Sequence, residues 1–369
     1  MKFSCLKENL VHGINAVGHI ALRTSSLPIL NNIFISAGDT GLYLSATNLE
    51  IGIENTVRGK LEEPGDCLVS AKLLLDLLPL LPDGQIHLET TGAGLCVKTQ
   101  DTESTLRINP VTDFPIIPPV EEKRGEFSLP QPIVKEVFEK TLFAVGRVEQ
   151  RPQFNGILLA FKKNTFTATA TDGYRLAEVV VEIADGVYEG KIIVPNTTAQ
   201  EITRLLMAGD ESEAVQFLIG ENQLHITIGS TQLTSRLVEG EFPDYEALFP
   251  KKVEPVTVAS GALTKAVKAT TLFSRSGVAD ITITLKENNQ LEIFSESGEI
   301  GSHRTAVPFA GKAEITTPVV LNARFLIEGV AVCSGETEIS FGGADQPVLV
   351  TPKKQTAAKY RYLLMPIRE

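Results

Sequence analysis

Phe166-Thr167-Ala168-Thr169-Ala170-Thr171-Asp172-Gly173-Tyr174-Arg175-Leu176-Ala177 reads as a strand, a turn and the start of a second strand. Phe166 to Ala170 leads in with alternating apolar and polar residues, and Val179 to Ile183 leads out. Asp-Gly is a hairpin signal, because both residues tolerate the positive φ of a tight turn. Tyr174 and Arg175 stand just past that turn, where a ring and a guanidinium could edge an apolar pocket and anchor a ligand.

The same stretch is written elsewhere in the chain. Leu42-Tyr43-Leu44-Ser45-Ala46-Thr47-Asn48 matches Phe166 to Asp172 at an offset of 124, and Pro28-x-x-Asn31-x-Ile33 matches Pro152-x-x-Asn155-x-Ile157 at the same offset. A constant offset across two separate motifs marks an internal repeat. Leu291-Glu292-Ile293-Phe294-Ser295-Glu296-Ser297-Gly298 is a weaker third copy, at an offset of 125 from the second.

Each copy runs helix, alternating strands, helix, strands. The first helices are expected at about Leu6 to Arg23, Pro130 to Arg147 and Ser260 to Arg275, with apolar positions three and four apart, as in Ile133, Val137, Phe138 and Leu142. Second helices are expected at Ala71 to Leu81, Thr197 to Met207 and Asn322 to Val332, with Ser70, Thr197 and Asn322 as caps. Strands such as Gly94 to Lys98, Gln223 to Ile228 and Pro347 to Val350 complete the units. Proline- and charge-rich joints near 118–124 and 250–255 then divide the chain into 1–124, 125–252 and 253–369, α+β domains large enough to bury their own cores.

Composition excludes several classes. A hydrophobic share of 43% with no run of about eighteen apolar residues describes a globular chain without a transmembrane helix. The N-terminus lacks the apolar segment of a signal peptide, so a cytoplasmic location is expected and no membrane partner. Cys5, Cys67, Cys96 and Cys333 are scattered in apolar surroundings and read as buried, reduced thiols. The five histidines form no metal-binding or nucleophile motif, so no catalytic site, metal or cofactor is expected.

The chain carries a net charge of −11, yet the six expected helices sum to a positive charge. Helices gathered on one surface would make it positive on an acidic protein, suited to weak, salt-dependent phosphate contact without base reading.

Leu27-Pro28-Ile29-Leu30-Asn31, Ala170 to Leu176, Phe242-Pro243-Asp244-Tyr245 and Met365-Pro366-Ile367-Arg368 resemble the bacterial DNA sliding clamp, the beta subunit of DNA polymerase III, along the whole chain. The resemblance implies a non-catalytic processivity factor of DNA replication: three similar clamp-fold domains, each with two helices packed on antiparallel sheets. Two chains would form a head-to-tail homodimer, a six-domain ring with helices facing double-stranded DNA. Implied partners are the catalytic subunit of DNA polymerase III, the clamp loader and other replication and repair proteins that carry the clamp-binding motif.

The family's partner groove takes a short peptide with apolar anchors between the second and third domains. Carried over, it would use Arg151, Phe154, Thr171, Gly173, Tyr174, Arg175, Leu176, Pro243, Leu248, Phe325, Leu363, Met365, Pro366, Ile367 and Arg368, with Arg175 and Arg368 at the rim. Tyr174 stands where histidine is familiar and Ala247 where arginine is, a departure that also fits a clamp paralogue with altered partner or inhibitor preference. The seam between chains would set Leu106 and Ile108 against Leu272 and Phe273, although pattern alone allows these to be internal core. Arg23, Lys135, Lys140, Arg147, Arg204, Lys265, Lys268, Arg275 and Arg324 are the DNA-facing candidates. A reading from another class, an α+β hydrolase centred on Asp172, Tyr174 and Arg175, lacks an evident base or nucleophile.

Overall fold

The computed structural model describes residues 1–22, 27–120, 122–147, 150–183, 188–208, 214–250, 254–275, 277–312 and 317–368. Contacts gather the chain into two compact units, one of Met1–Pro132 with Glu201–Leu237 and the other of Ile133–Gln200 with Val238–Glu369.

Among the described residues, six α-helices appear where the 3.6-residue period expects them: α1 (Lys7–Ala21), α2 (Ala71–Leu77), α3 (Gln131–Thr141), α4 (Asn196–Ala208), α5 (Ser260–Thr271) and α6 (Ala323–Ala331). The expected first helices run too far at their C-terminal ends. Leu142–Ala144 tightens into a 3-10 turn after α3, and Leu272 caps α5. Of the expected caps, Asn322 accepts the amides of Arg324 at 3.0 Å and Phe325 at 3.2 Å. Ser70 makes no side-chain cap bond, and Thr197 lies inside α4 rather than before it.

The first unit holds a five-stranded sheet and a nine-stranded one. The nine strands run in the order Ile108–Asn109, Gly65–Ser70, Asn32–Gly38, Gly41–Thr47, Ile51–Val57, Thr231–Arg236, Gln223–Ile228, Ala214–Ile219 and Gly125–Pro130. Its continuity across the repeat comes from one antiparallel join, with Leu233 opposite Ile53 and Ser235 opposite Ile51. α1 buries Leu10, Ile14, Val17 and Ile20 against this sheet, each such side chain contributing about 1.5–3 kcal/mol. The helix sits close because Gly13 faces Val57 and Leu44: a Cβ there would meet the Val57 Cγ2 at 2.5 Å.

The second unit holds one twelve-stranded sheet. Strand Arg175–Glu182 pairs with Ala358–Leu364, Glu178 facing Arg361, and so repeats the join of the first unit. α6 seats on that strand through small residues: a Cβ on Gly329 would lie 2.2 Å from the Tyr362 ring, and the Tyr362 hydroxyl donates to the Phe325 carbonyl at 2.9 Å. All four cysteines are buried.

Candidate partner-binding site

The opening stretch folds as strand Thr165–Thr171, a three-residue turn and strand Arg175–Glu182. Its geometry comes from side chains. Asp172 Oδ1 accepts the amides of Tyr174 at 2.9 Å and Arg175 at 3.0 Å. The Thr171 hydroxyl donates to the Arg175 carbonyl at 2.6 Å and accepts the Gly173 amide at 3.1 Å. Gly173 has φ +92°, a conformation that L side chains rarely adopt, while Phe154 is the one neighbour a Cβ would touch, at 3.8 Å. Glycine is therefore needed here for its backbone conformation, since a side chain would have room.

The first copy of the turn is built bond for bond alike. Asn48 Oδ1 accepts the amides of Glu50 at 3.1 Å and Ile51 at 2.8 Å, the Thr47 hydroxyl donates to the Ile51 carbonyl at 2.9 Å, and Leu49 has φ 75°. What differs is the space behind the turn. Gly52 stands where the second copy has Leu176, and a Cβ on it would fall 2.4 Å from the Ile117 Cδ1. The first copy is thus filled by its own chain.

In the second copy Leu176 joins Leu158, Ala160, Ile193, Tyr245 and Leu363 in a buried apolar floor, with Val238, Phe242, Phe249 and Leu349 packed on it. Edge-to-face contacts run from Phe154 to Phe242 (6.0 Å), to Tyr245 (6.0 Å) and to Phe249 (6.4 Å). An ion pair borders the floor: Arg361, partly exposed, donates to the buried Glu178 at 2.6 Å and lies 3.8 Å from the centre of the Phe249 ring. The Tyr245 hydroxyl meets Thr169 at 2.8 Å. Above the floor stand exposed apolar groups, Tyr174 at 69% and Leu248 at 46%, with Pro243 exposed and Met365, Pro366 and Ile367 half-buried. Aromatic and aliphatic groups left in water beside an apolar floor are the makings of a peptide groove.

The structure brings together most of the expected groove residues within the second unit. Thr171, Gly173, Tyr174, Arg175 and Leu176 share the turn. The Met365 amide donates to the Tyr174 carbonyl at 2.9 Å, and the Ile367 amide to Val320 at 2.8 Å, which fixes the C-terminal segment beside the turn. Phe154 is buried, with Arg151 stacked over its ring at 5.5 Å, and Arg368 is exposed.

Arg175 is the correction. It is 9% exposed and cannot serve as a rim anchor. Its Nε donates to Asp172 Oδ2 at 2.9 Å, its Nη2 to the Phe143 carbonyl at 2.6 Å and its Nη1 to Glu328, while the Phe325 ring lies 4.2 Å from the guanidinium carbon. Burial opposes its charge, but Glu328, Tyr362 and Asp172 outweigh burial and leave its pKa raised. Phe325 therefore supports Arg175. Asp172, with both oxygens engaged, makes a poor catalytic group, and nothing favours the hydrolase reading.

The remaining candidates scatter. Leu106 is buried in its sheet and Phe273 stacks on His303 at 5.3 Å, whereas Ile108 and Leu272 (71%) are exposed. Among the cations, Arg23 lies outside the described residues. Lys140 is 7% exposed, and its ammonium is held by Glu136 at 2.6 Å, the Ala358 carbonyl at 3.2 Å and Thr356 at 3.3 Å, so it offers nothing to a phosphate. Arg204 is bonded to Glu201 and to the Asn15 and Ala16 carbonyls. Arg275 pairs with Asp280 at 2.6 Å, and Lys135 is half-buried. Arg147, Lys265, Lys268 and Arg324 are exposed. Because Arg147 and Arg275 fall beyond the ends of α3 and α5, the described helices are less positive than the sequence suggested; α5 keeps two lysines and no acid.

The sequence reading missed the groove floor. Leu158, Ala160, Ile193 and Tyr245 look like ordinary strand and loop residues until the sheet assembles them; the Phe-Pro-Asp-Tyr exit was the one signal that reached Tyr245. A small cavity lined by His12, Asn15, Ala16, Arg204, Leu205, Ile228 and Thr231 shares no residue with it.

Family models for the DNA polymerase III beta subunit match in chain order: the N-terminal domain at residues 1–118, the central domain at 128–244 and the C-terminal domain at 246–368. A beta sliding clamp of Pseudomonas putida is 29% identical over 346 residues, 91% of each chain, and one of Staphylococcus epidermidis is 25% identical over 380 residues, covering 100% of this chain and 99% of its own. A crystal structure of a DNA polymerase sliding clamp from Pseudomonas aeruginosa with ligand superposes with a TM-score of 0.92 at 26% identity, covering 100% of both chains. A DNA polymerase III beta subunit from Thermotoga maritima has the same fold, with a TM-score of 0.92 at 23% identity and coverage of 100% and 99%.

Proposed function

Because the chain belongs to the DNA polymerase III beta subunit family, we propose that it is a replication processivity factor acting as a two-chain ring that encircles double-stranded DNA and tethers its partners by the groove around Tyr174. The division 1–124, 125–252 and 253–369 belongs to this reading. One observation carries the ring: how the copies join. The first copy's strand Ile51–Val57 pairs with Thr231–Arg236, and the second copy's Arg175–Glu182 pairs with Ala358–Leu364. The corresponding third strand, Gly301–Ala310, pairs along one side with Gln290–Ser297 and along the other only through Phe309 and Ala310. Glu103–Leu106 is likewise an edge, bonded on one side to Gly94–Lys98. Pairing these two edges between chains, head to tail, continues the series and supplies backbone partners for both.

A ring holds DNA by topology, so contact with phosphates can stay weak and the protein can slide with no base contact to break. Lys265, Lys268, Arg147 and Arg324 are the cations free to face the duplex in this reading. The groove would take a short peptide with apolar anchors from the polymerase, the loader or other partners, seated on the floor beneath Tyr174 and Leu248. Catalysis belongs to those partners, and the compartment is the cytoplasm. The deciding experiment loads the protein onto nicked circular DNA and then linearises the circle. Bound protein is expected to run off the free ends; retention that does not change on linearisation would rule out topological binding.

A further inference from the structure

We infer that Glu328 is a positioning residue for the partner groove: from helix α6 it fixes Arg175, and through Arg175 the turn that carries Tyr174. This rests on the groove proposed above. A chain of bonds runs from the helix to the groove wall. Glu328 accepts Arg175 Nη1, Arg175 Nε donates to Asp172 at 2.9 Å, Asp172 holds the amides of Tyr174 and Arg175, and the Tyr174 carbonyl holds the Met365 amide at 2.9 Å. One guanidinium therefore braces the turn to which both walls are bonded, and its other supports are the Phe143 carbonyl and the Phe325 ring.

The first copy separates this role from simple turn formation. There the same side-chain bonds form with Asn48 in place of Asp172 and Ile51 in place of Arg175. The turn consequently needs neither a carboxylate nor an arginine to fold. The ionic relay occurs in the copy whose apolar floor lies beside the exposed Tyr174 and Leu248, and the copy plugged by Ile117 lacks it. Glu328 is 46% exposed, so its removal leaves a water-accessible gap and a buried arginine tied on fewer sides. A side chain held in one geometry before binding loses less freedom when a ligand arrives.

The test measures anisotropy of a fluorescein-labelled hexapeptide with leucine and phenylalanine anchors against the full-length protein and its Glu328→Ala, Glu328→Gln and Met365→Ala variants. The chain contains no tryptophan, so Tyr174→Trp adds a single reporter of turn mobility to each. Glu328→Ala is expected to weaken the peptide about tenfold, mainly through faster dissociation, and to lower the reporter's polarisation at an unchanged melting temperature. Glu328→Gln, which keeps an acceptor, is expected to recover most of the affinity. If Met365→Ala weakens binding while both Glu328 variants stay within twofold of the parent, the positioning role is wrong. If Met365→Ala has no effect either, the groove itself is misassigned. Should Glu328→Ala fail to fold, the Glu328→Gln arm still decides, because unchanged affinity together with unchanged polarisation overturns the relay.

Discussion

The Met365 amide donates to the Tyr174 carbonyl at 2.9 Å, and this bond ties the C-terminal segment to the turn that begins the second copy's outgoing strand. The Arg236 amide makes the matching bond to the Glu50 carbonyl at 3.1 Å. The contact is therefore part of the repeat, and the proposed groove adds to it at the second copy. Met365→Ala, or removal of residues 365–369, is expected to weaken an apolar-anchored peptide by about 10- to 100-fold, the range of an interface hot spot. Peptide anisotropy and sedimentation check this together: affinity falls and the dimer persists.

Leu272 is 71% exposed on the turn that ends α5, beside the stacked pair Phe273 and His303. In the proposed ring this leucine is covered by the partner chain at the seam. Leu272→Ala combined with Phe273→Ala is expected to shift the protein to monomers in sedimentation velocity. A dimer unchanged at micromolar concentration would place the seam elsewhere.

Lysines of equal charge are expected to behave in opposite ways. Lys265→Ala with Lys268→Ala removes two exposed cations from α5, and is expected to reduce DNA retention and flatten its salt dependence by about one to two units of slope, with little effect on stability. Lys140→Ala removes a buried ammonium from Glu136 and the Ala358 carbonyl, and is expected to cost about 2 kcal/mol of stability while leaving the salt slope alone. Denaturant titration and salt-dependent retention distinguish the two.

Burial pushes the thiols of Cys5 and Cys333 up to about 11 and that of Cys67 to about 12, against an ordinary 9.0. The folded state thus favours the neutral thiol. Its contribution is whole below about pH 9 and is lost as pH rises through about 11 to 12. At pH 8 iodoacetamide is expected to leave these three cysteines unmodified until the protein is unfolded, as mass spectrometry would record; modification at the rate of a free thiol would contradict their burial.

Periodicity located all six helices, because their buried stripes are local in sequence. It overran their ends, where Leu142–Ala144 tightens into a 3-10 turn, since apolar spacing continues through a change of helix type. The constant offset of the repeat located the turn at Asp172, and the family resemblance gathered Tyr174, Leu248 and Met365. Burial of Arg175 and Lys140 was invisible because both are long, charged side chains whose partners lie far along the chain: Glu328 for one and Ala358 for the other. Leu106 came from the resemblance alone; its side chain packs inward while its strand, Glu103–Leu106, keeps a free edge, and which face a residue takes changes with a single step along a strand.

Ile117, set against Gly52, leaves no room behind the first copy of the turn. The first copy of the turn keeps every backbone bond that shapes the second, yet the space behind it holds a tenant from the same polypeptide. Under the proposed function, a partner peptide that seats at the second copy finds no equivalent seat at the first. Partners of the proposed groove would then compete for it by affinity and by the lifetime of each occupant, with one isoleucine closing the alternative at the first copy.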